Sequence, residues 1–246
     1  VRVGLRALIL AGPPAVCREP CRSPGGGALT VSPLASRAWG CWVRAGNGQR
    51  VGFLLLRSEL VGASAPVPEL SLEMSSADSQ GGIGHILGTA LVNELGRRGI
   101  TDRVACILTH VVVDRDDRAF REPTKPIGPS YTAEEATAKR EAEGWAMVED
   151  SGRGYRRIVP SPHPLRIVEA RQIKTLVESG FVVIAAGGGG IPVVETAEAG
   201  YEGGEAVIDK DLASELLASS LAIPLRVLST GVQTCATPFR HQDRRS

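Results

Sequence analysis

The stretch Phe181-Val182-Val183-Ile184-Ala185-Ala186-Gly187-Gly188-Gly189-Gly190-Ile191-Pro192-Val193-Val194 decides the fold. Its first six residues are apolar without alternation, which predicts a strand covered on both faces. That strand runs straight into Gly187, Gly188, Gly189 and Gly190, and a second apolar run follows. Glycine loses more backbone freedom on folding than any other residue, so four in a row carry a large entropic penalty. A backbone that must approach a phosphate without side chains in the way is a reason to keep them. The alternative is a flexible linker, and the flanking Ala185-Ala186 and Ile191-Pro192-Val193 argue against it. No Gly-Lys-Ser/Thr follows and the G-x-G-x-x-G spacing is missing, so the run is neither a Walker loop nor a Rossmann fingerprint.

Working outward, strands and helices alternate from residue 46 to residue 221. Ile83, Ile86, Leu87, Ala90, Leu91 and Leu95 recur at helical spacing, on a helix ending near Gly96 or Gly99. Residues 104–113 read as one buried strand, and residues after Pro164 as a helix running through Ser179 to a stop at Gly180. Beyond the glycines, residues 192–195 and 205–208 suggest a hairpin. Then Asp209-Lys210-Asp211 opens a helix carrying Leu212, Leu216, Leu217 and Leu221. The alternation predicts an α/β fold with an open, mainly parallel sheet sandwiched between helices. Ligands in such sheets bind at the carboxyl ends of the strands, where these glycine-rich turns fall.

The polar segment 114–164 interrupts this pattern. It is charged at 114–117 and stiffened by proline at 123–129. Thr132 and Glu135 form a capping box, its helix stops at Gly144, and residues 155–159 suit a strand. It reads as a subdomain protruding from the core. The chain thus divides into a divergent segment 1–42, a core 43–221 containing this insert, and a divergent tail 222–246.

The totals exclude several classes. A formal net charge of +1 and 4% aromatic residues leave neither the basic excess nor the stacking surface of a nucleic-acid binder. No apolar run reaches the length of a membrane span, and Pro13-Pro14 break the faintly signal-like start. Cys17, Cys21, Cys41, Cys106 and Cys235 make no metal quartet and no even disulfide framework, so they read as reduced thiols of a cytoplasmic protein. No metal-ligating set stands out. His85 reads as structural or exposed, His110 as a hydrogen-bonded core residue and His163 as a loop residue without a triad partner.

Three further clusters could carry chemistry. Gly46, Asn47 and Gly48 precede a helix and could present backbone N–H groups to an anion; a plain Asn-Gly turn is the simpler alternative. Lys210, between two aspartates at a helix start, gains nothing from the helix dipole, whereas either aspartate does as a cap. Pointed into the strand-end crevice, it could neutralise a phosphoryl group in flight, with Asp211 fixing its position. Phosphoryl transfer needs mainly positioning and positive charge from the protein. Lys125 lies on the rigid Pro123-Thr124-Lys125-Pro126-Ile127-Gly128-Pro129 and could reach down from the subdomain, or sit solvated in a loop.

Together these clusters resemble carbamate kinase, of the amino acid kinase fold family. The match lies in residues 123–129, in Val159-Pro160-Ser161-Pro162, in residues 186–193 and in Glu205-Ala206-Val207-Ile208-Asp209-Lys210-Asp211-Leu212-Ala213. Residues 77–81 and 46–48 match more weakly. The order holds over residues 46–221, about seven-tenths of the chain. The resemblance implies a homodimer and reversible transfer between ATP with carbamate and ADP with carbamoyl phosphate, with Mg²⁺, in the arginine deiminase pathway. It implies that Lys210 binds the transferring phosphoryl group, that Asp211 orients the lysines and that Lys125 reaches the substrate. Gly46, Asn47, Gly48 and Gly187 to Gly190 would cradle the anions.

The chain also departs from the family. The Gly-Gly-Asn that ends the family's first strand has no proper counterpart, and His-Gly-Asn-Gly-Pro appears as Ala45-Gly46-Asn47-Gly48-Gln49. After Leu221 the nucleotide-binding half and a second phosphate-facing lysine are not matched, as a truncated or frameshifted reading frame would leave them. Two alternatives follow: another member of the fold family, or a non-catalytic homologue keeping only anion binding or dimerisation.

Overall fold

A computed structural model describes residues 5–10, 41–45, 48–62, 65–66, 68–150, 152, 154–198, 200–221 and 225–228. Gly46, Asn47 and the glycines near residues 12 and 25–27 lie outside these.

The glycine run sits at the end of a parallel sheet centre. Strand β9 (Val182–Ile184) is flanked by β2 (Cys41–Ala45) and β3 (Val104–Cys106), both parallel to it. Outward from β2 the sheet continues antiparallel through β1 (Leu5–Leu10) and β12 (Leu225–Leu228), in the order β12-β1-β2-β9-β3. The expected parallel sheet is therefore its centre, and its edge beyond β2 is antiparallel.

Successive residues of β9 face opposite ways. Val183 joins a buried cluster with Ile173 and Val177 of helix α4 (Ala170–Glu178). Ile184 faces helix α2 (Leu72–Gly96), since a Cβ on Gly88 would lie 3.7 Å from its Cδ1. Helices therefore cover both faces. The long α2 starts where Ser71 Oγ accepts from the Met74 N–H at 3.1 Å, and its Ile83, Leu87, Leu91 and Leu95 are buried as their spacing requires.

Residues 104–113 are not one strand. They divide into β3 and β4 (His110–Val113), which belong to different sheets. The second sheet has the order β11-β10-β4-β8, with β8 at Pro164–Ile167, β10 at Ile191–Glu195 and β11 at Tyr201–Gly203. Two other expectations change. The residues after Pro164 form strand β8 before α4 begins, and β10 pairs with β11, not with residues 205–208.

A third sheet has the order β5-β7-β6, built from β5 (Lys125–Tyr131), β6 (Met147–Glu149) and β7 (Tyr155–Val159). Helix α3 (Ala133–Glu143) carries the full Thr132/Glu135 capping box and ends at Gly144 in the left-handed conformation. Helix α1 (Gly48–Gly62) packs against β5. A Cβ on Gly52 would lie 2.1 Å from Gly128 Cα, so the helix and β5 meet backbone to backbone. Any larger residue at position 52 would force them apart.

Candidate active site at the strand ends

The buried strand β9 ends in a single turn of 3₁₀ helix at Gly187–Gly189, with residues 187–190 all buried. Two glycines explain why side chains are excluded. Gly189 has φ +115°, and a Cβ there would lie 2.4 Å from the Ile208 carbonyl oxygen. Gly190 has φ +97°, and its Cβ would lie 2.2 Å from Val111 Cγ2. Neither the conformation nor the space admits an L side chain. Ala186 precedes them in the same left-handed region, at φ +50°. Such a conformation costs of order ~1–2 kcal/mol for a residue with a Cβ and needs surroundings that hold it.

Thr109 does the holding. The Ala186 N–H donates to Thr109 Oγ1 at 2.8 Å, and the Ile191 N–H donates to the Thr109 carbonyl at 2.8 Å. Gln80 on α2 then grips the backbone of the same threonine from both sides. It accepts from the Thr109 N–H at 3.0 Å and donates to the Thr109 carbonyl at 3.2 Å. The break between β3 and β4 is thus the point where one buried threonine fixes both ends of the glycine turn. Thr109 was passed over in the sequence because it sits in an apolar run. Its hydroxyl among aliphatic neighbours was the available signal.

The segment between β11 and helix α5 (Lys210–Ser220) connects the turn to the end of β7. Ile208 closes over Gly189, and the Val207 N–H donates to the Pro160 carbonyl at 2.9 Å, next to β7. Asp209 follows as the cap of α5. Its Oδ1 accepts from the Asp211 N–H at 2.7 Å and from the Leu212 N–H at 3.4 Å, while its Oδ2 accepts from Lys125 Nζ at 2.5 Å. Burial alone would raise the Asp209 pKa. The Lys125 ammonium and the two N–H groups outweigh it, and the carboxyl is held below its ordinary value.

Lys125, Asp209, Lys210 and Asp211 therefore gather where the start of β5 meets the start of α5. Lys210 Nζ donates to Asp211 Oδ2 at 2.9 Å. Asp209 thus engages Lys125, and Asp211 engages Lys210. A helix cap was the obvious reading of Asp209, and it is correct but incomplete. Gly48 lies close by, since a Cβ on it would be 3.9 Å from the Pro126 carbonyl oxygen. Because β2 and β9 are parallel neighbours, the start of α1 and the glycine turn emerge at the same end of the sheet.

The histidines stand apart from this cluster's chemistry. His110 Nδ1 pairs with Glu169 at 2.7 Å, hydrogen-bonded as expected but 42% exposed rather than core. His85 and His163 are exposed. Among the described residues no group of three or more His, Cys, Asp or Glu side chains could hold a metal ion. No described helix is long and apolar enough to cross a membrane.

No protein-family model matches the sequence. The chain is 44% identical over 200 residues to the carbamate kinase of Thermococcus kodakarensis, covering 81% of this chain and 63% of that protein. It is 43% identical over 229 residues to the carbamate kinase of Clostridium perfringens, covering 93% of this chain and 72% of that one. The carbamate kinase of Giardia lamblia bound to citric acid superimposes with a TM-score of 0.72 at 35% identity, covering 85% and 68% of the two chains. The same Giardia lamblia protein bound to AMP-PNP gives 0.65 at 37%, covering 80% and 64%. The chain spans 63% of the length of the first of these relatives, a little under two-thirds. On sequence and on structure together, this chain belongs to the carbamate kinase family.

Proposed function

We propose that the strand-end cluster transfers a phosphoryl group between ATP and carbamate, the reaction implied by the family, with carbamoyl phosphate and ADP on the other side. The observation that carries this reading is the meeting of Lys125, from the subdomain, with the start of α5 beside the glycine turn. A carbamate oxygen attacks the γ-phosphorus, the bond to ADP breaks, and negative charge builds on the phosphoryl oxygens. Lys210 and Lys125 are the cations within reach of that charge, and Asp211 and Asp209 keep them aimed. Residues 187–190 offer backbone to the anion without side chains, and Gly48, which follows Gly46 and Asn47 in the sequence, starts α1 at the same end of the sheet.

The nucleotide is supported by the AMP-PNP bound to the Giardia lamblia relative. It would enter as its Mg²⁺ complex, with the ion carried chiefly by the phosphates, as Mg²⁺ ordinarily is. The rest of this reading follows the family: a homodimer, a cytoplasmic location and the arginine deiminase pathway. The test is to supply ADP, carbamoyl phosphate and Mg²⁺ and to follow ATP formation. Formation of ATP that disappears in Lys210→Ala is the expected result. No ATP from the unmodified chain, or full activity in Lys210→Ala, would contradict the proposal.

A further inference from the structure

Among the described residues Lys125 has one polar partner, Asp209, but the sheet that carries it is tied to α1 as well. Arg157 lies on β7 opposite Ile127 of β5, two residues along the ladder from the Lys125–Val159 pair. Its Nη1 donates to Glu59 Oε1 on α1 at 2.7 Å, across the boundary between core and subdomain. On its subdomain side the Arg157 guanidinium lies 4.4 Å from the centre of the Trp145 ring, which Tyr131 meets edge-on at 6.1 Å. One arginine thus links a core helix to the aromatic wall of the subdomain, about two turns along α1 from the Gly52–Gly128 contact.

Stability alone does not account for Glu59. Its Oε2 is buried and has no hydrogen-bond partner among the described residues. Burial raises its pKa more than the Arg157 charge and hydrogen bond lower it, with Glu143, Lys139 and Tyr131 the other titratable groups facing it. A carboxylate whose ionised form is disfavoured by folding contributes least at neutral pH. An uncharged side chain of the same shape would meet the same space at lower cost.

We propose that Glu59 is a positioning residue: through Arg157 it holds β5 against α1 and so keeps the Lys125 ammonium on Asp209, at the mouth of the site. Gly52 against Gly128 sets the distance between helix and strand, and the Glu59–Arg157 pair sets the tilt of the strand about that contact. This inference rests on the functional reading of Lys125, but its test does not depend on turnover.

The test is the rate at which individual lysines of the full chain are acylated by acetic anhydride at pH 7, read by mass spectrometry. An amine held on a carboxylate reacts slowly. In Glu59→Gln we expect Lys125 to be labelled at least threefold faster, with Lys174 on α4 and Lys210 on α5 unchanged. Arg157→Lys should give a smaller rise at Lys125 alone, because a cation remains beside Glu59. Lys125 rates within experimental error of the unmodified chain in both variants would overturn the proposal. So would faster labelling of Lys174 and Lys210 in step with Lys125, which would make the pair a general structural support. A chain that formed no ATP would refute the proposed reaction while leaving this outcome readable.

Discussion

The two sides of the cleft are built on different principles. The glycine turn at residues 187–190 is fixed by shape and by uncharged hydrogen bonds: two positions without room for a Cβ, and one buried threonine bonded on every polar atom. The lysine side is fixed by charge. Lys125 and Lys210 are each held by a partly exposed carboxylate, and the subdomain is tied to α1 by an ion pair. A geometry set by packing tolerates little change but is indifferent to pH. A geometry set by ion pairs can be loosened by one protonation or one neutral substitution. For the proposed phosphoryl transfer that division would be apt, since an anion cradle has to be rigid while the cations follow a moving charge.

The comparison predicts opposite responses from its two sides. The largest effect is on activity: Lys210→Ala should lower ATP formation by about 10²–10³-fold, as loss of one preorganised charge-stabilising donor does elsewhere. Its urea midpoint should move little, because the lysine belongs to neither described apolar cluster. On the other side, Gly189→Ala should cost about 3 kcal/mol in urea unfolding, from a forced left-handed alanine plus its clash with the Ile208 carbonyl. A variant that unfolded normally would break the claim that shape fixes the turn.

Thr109→Val comes next. It keeps the volume but leaves the Ala186 N–H without its acceptor, at about 1–3 kcal/mol in the same measurement. The smallest effect is the response to acid. Asp209 is held below its ordinary value near 3.8, so its contribution is fully present above that pH and is lost as pH falls through its lowered value. The stability difference between the unmodified chain and Asp209→Asn should therefore be constant from pH 7 to 5 and close only below about pH 4. A difference that closed between pH 7 and 5 would mean Lys125 does not hold Asp209 as described.

Much of this arrangement was legible in the sequence, and the reason differs by residue. The glycine run, the Thr132/Glu135 cap and the Asp209-Lys210-Asp211 helix start are local signals, since neighbouring residues meet the need they express. The break within residues 104–113 was not legible, because an apolar run carries no mark of passing from one sheet to another. The β10 partner was misjudged for a similar reason: Glu205-Ala206-Val207-Ile208 has strand-like composition, yet it runs beneath the turn and bonds Pro160. Asp209 looked like a cap because it is one. Only the fold brings Lys125 to its second oxygen across 84 residues. The Glu59–Arg157 contact spans 98 residues and has no local signature at all.

The central claim is that Lys125, delivered by the subdomain, and the core helix start form one anion site. Calorimetric titration of carbamoyl phosphate into the unmodified chain and into Lys125→Ala tests it most directly, since binding is read without requiring turnover. Losing one hydrogen bond to a charged group should weaken binding by about tenfold or more. Equal affinity in the two chains would contradict the account, because Lys125 would then be a surface lysine paired with a helix cap and nothing more.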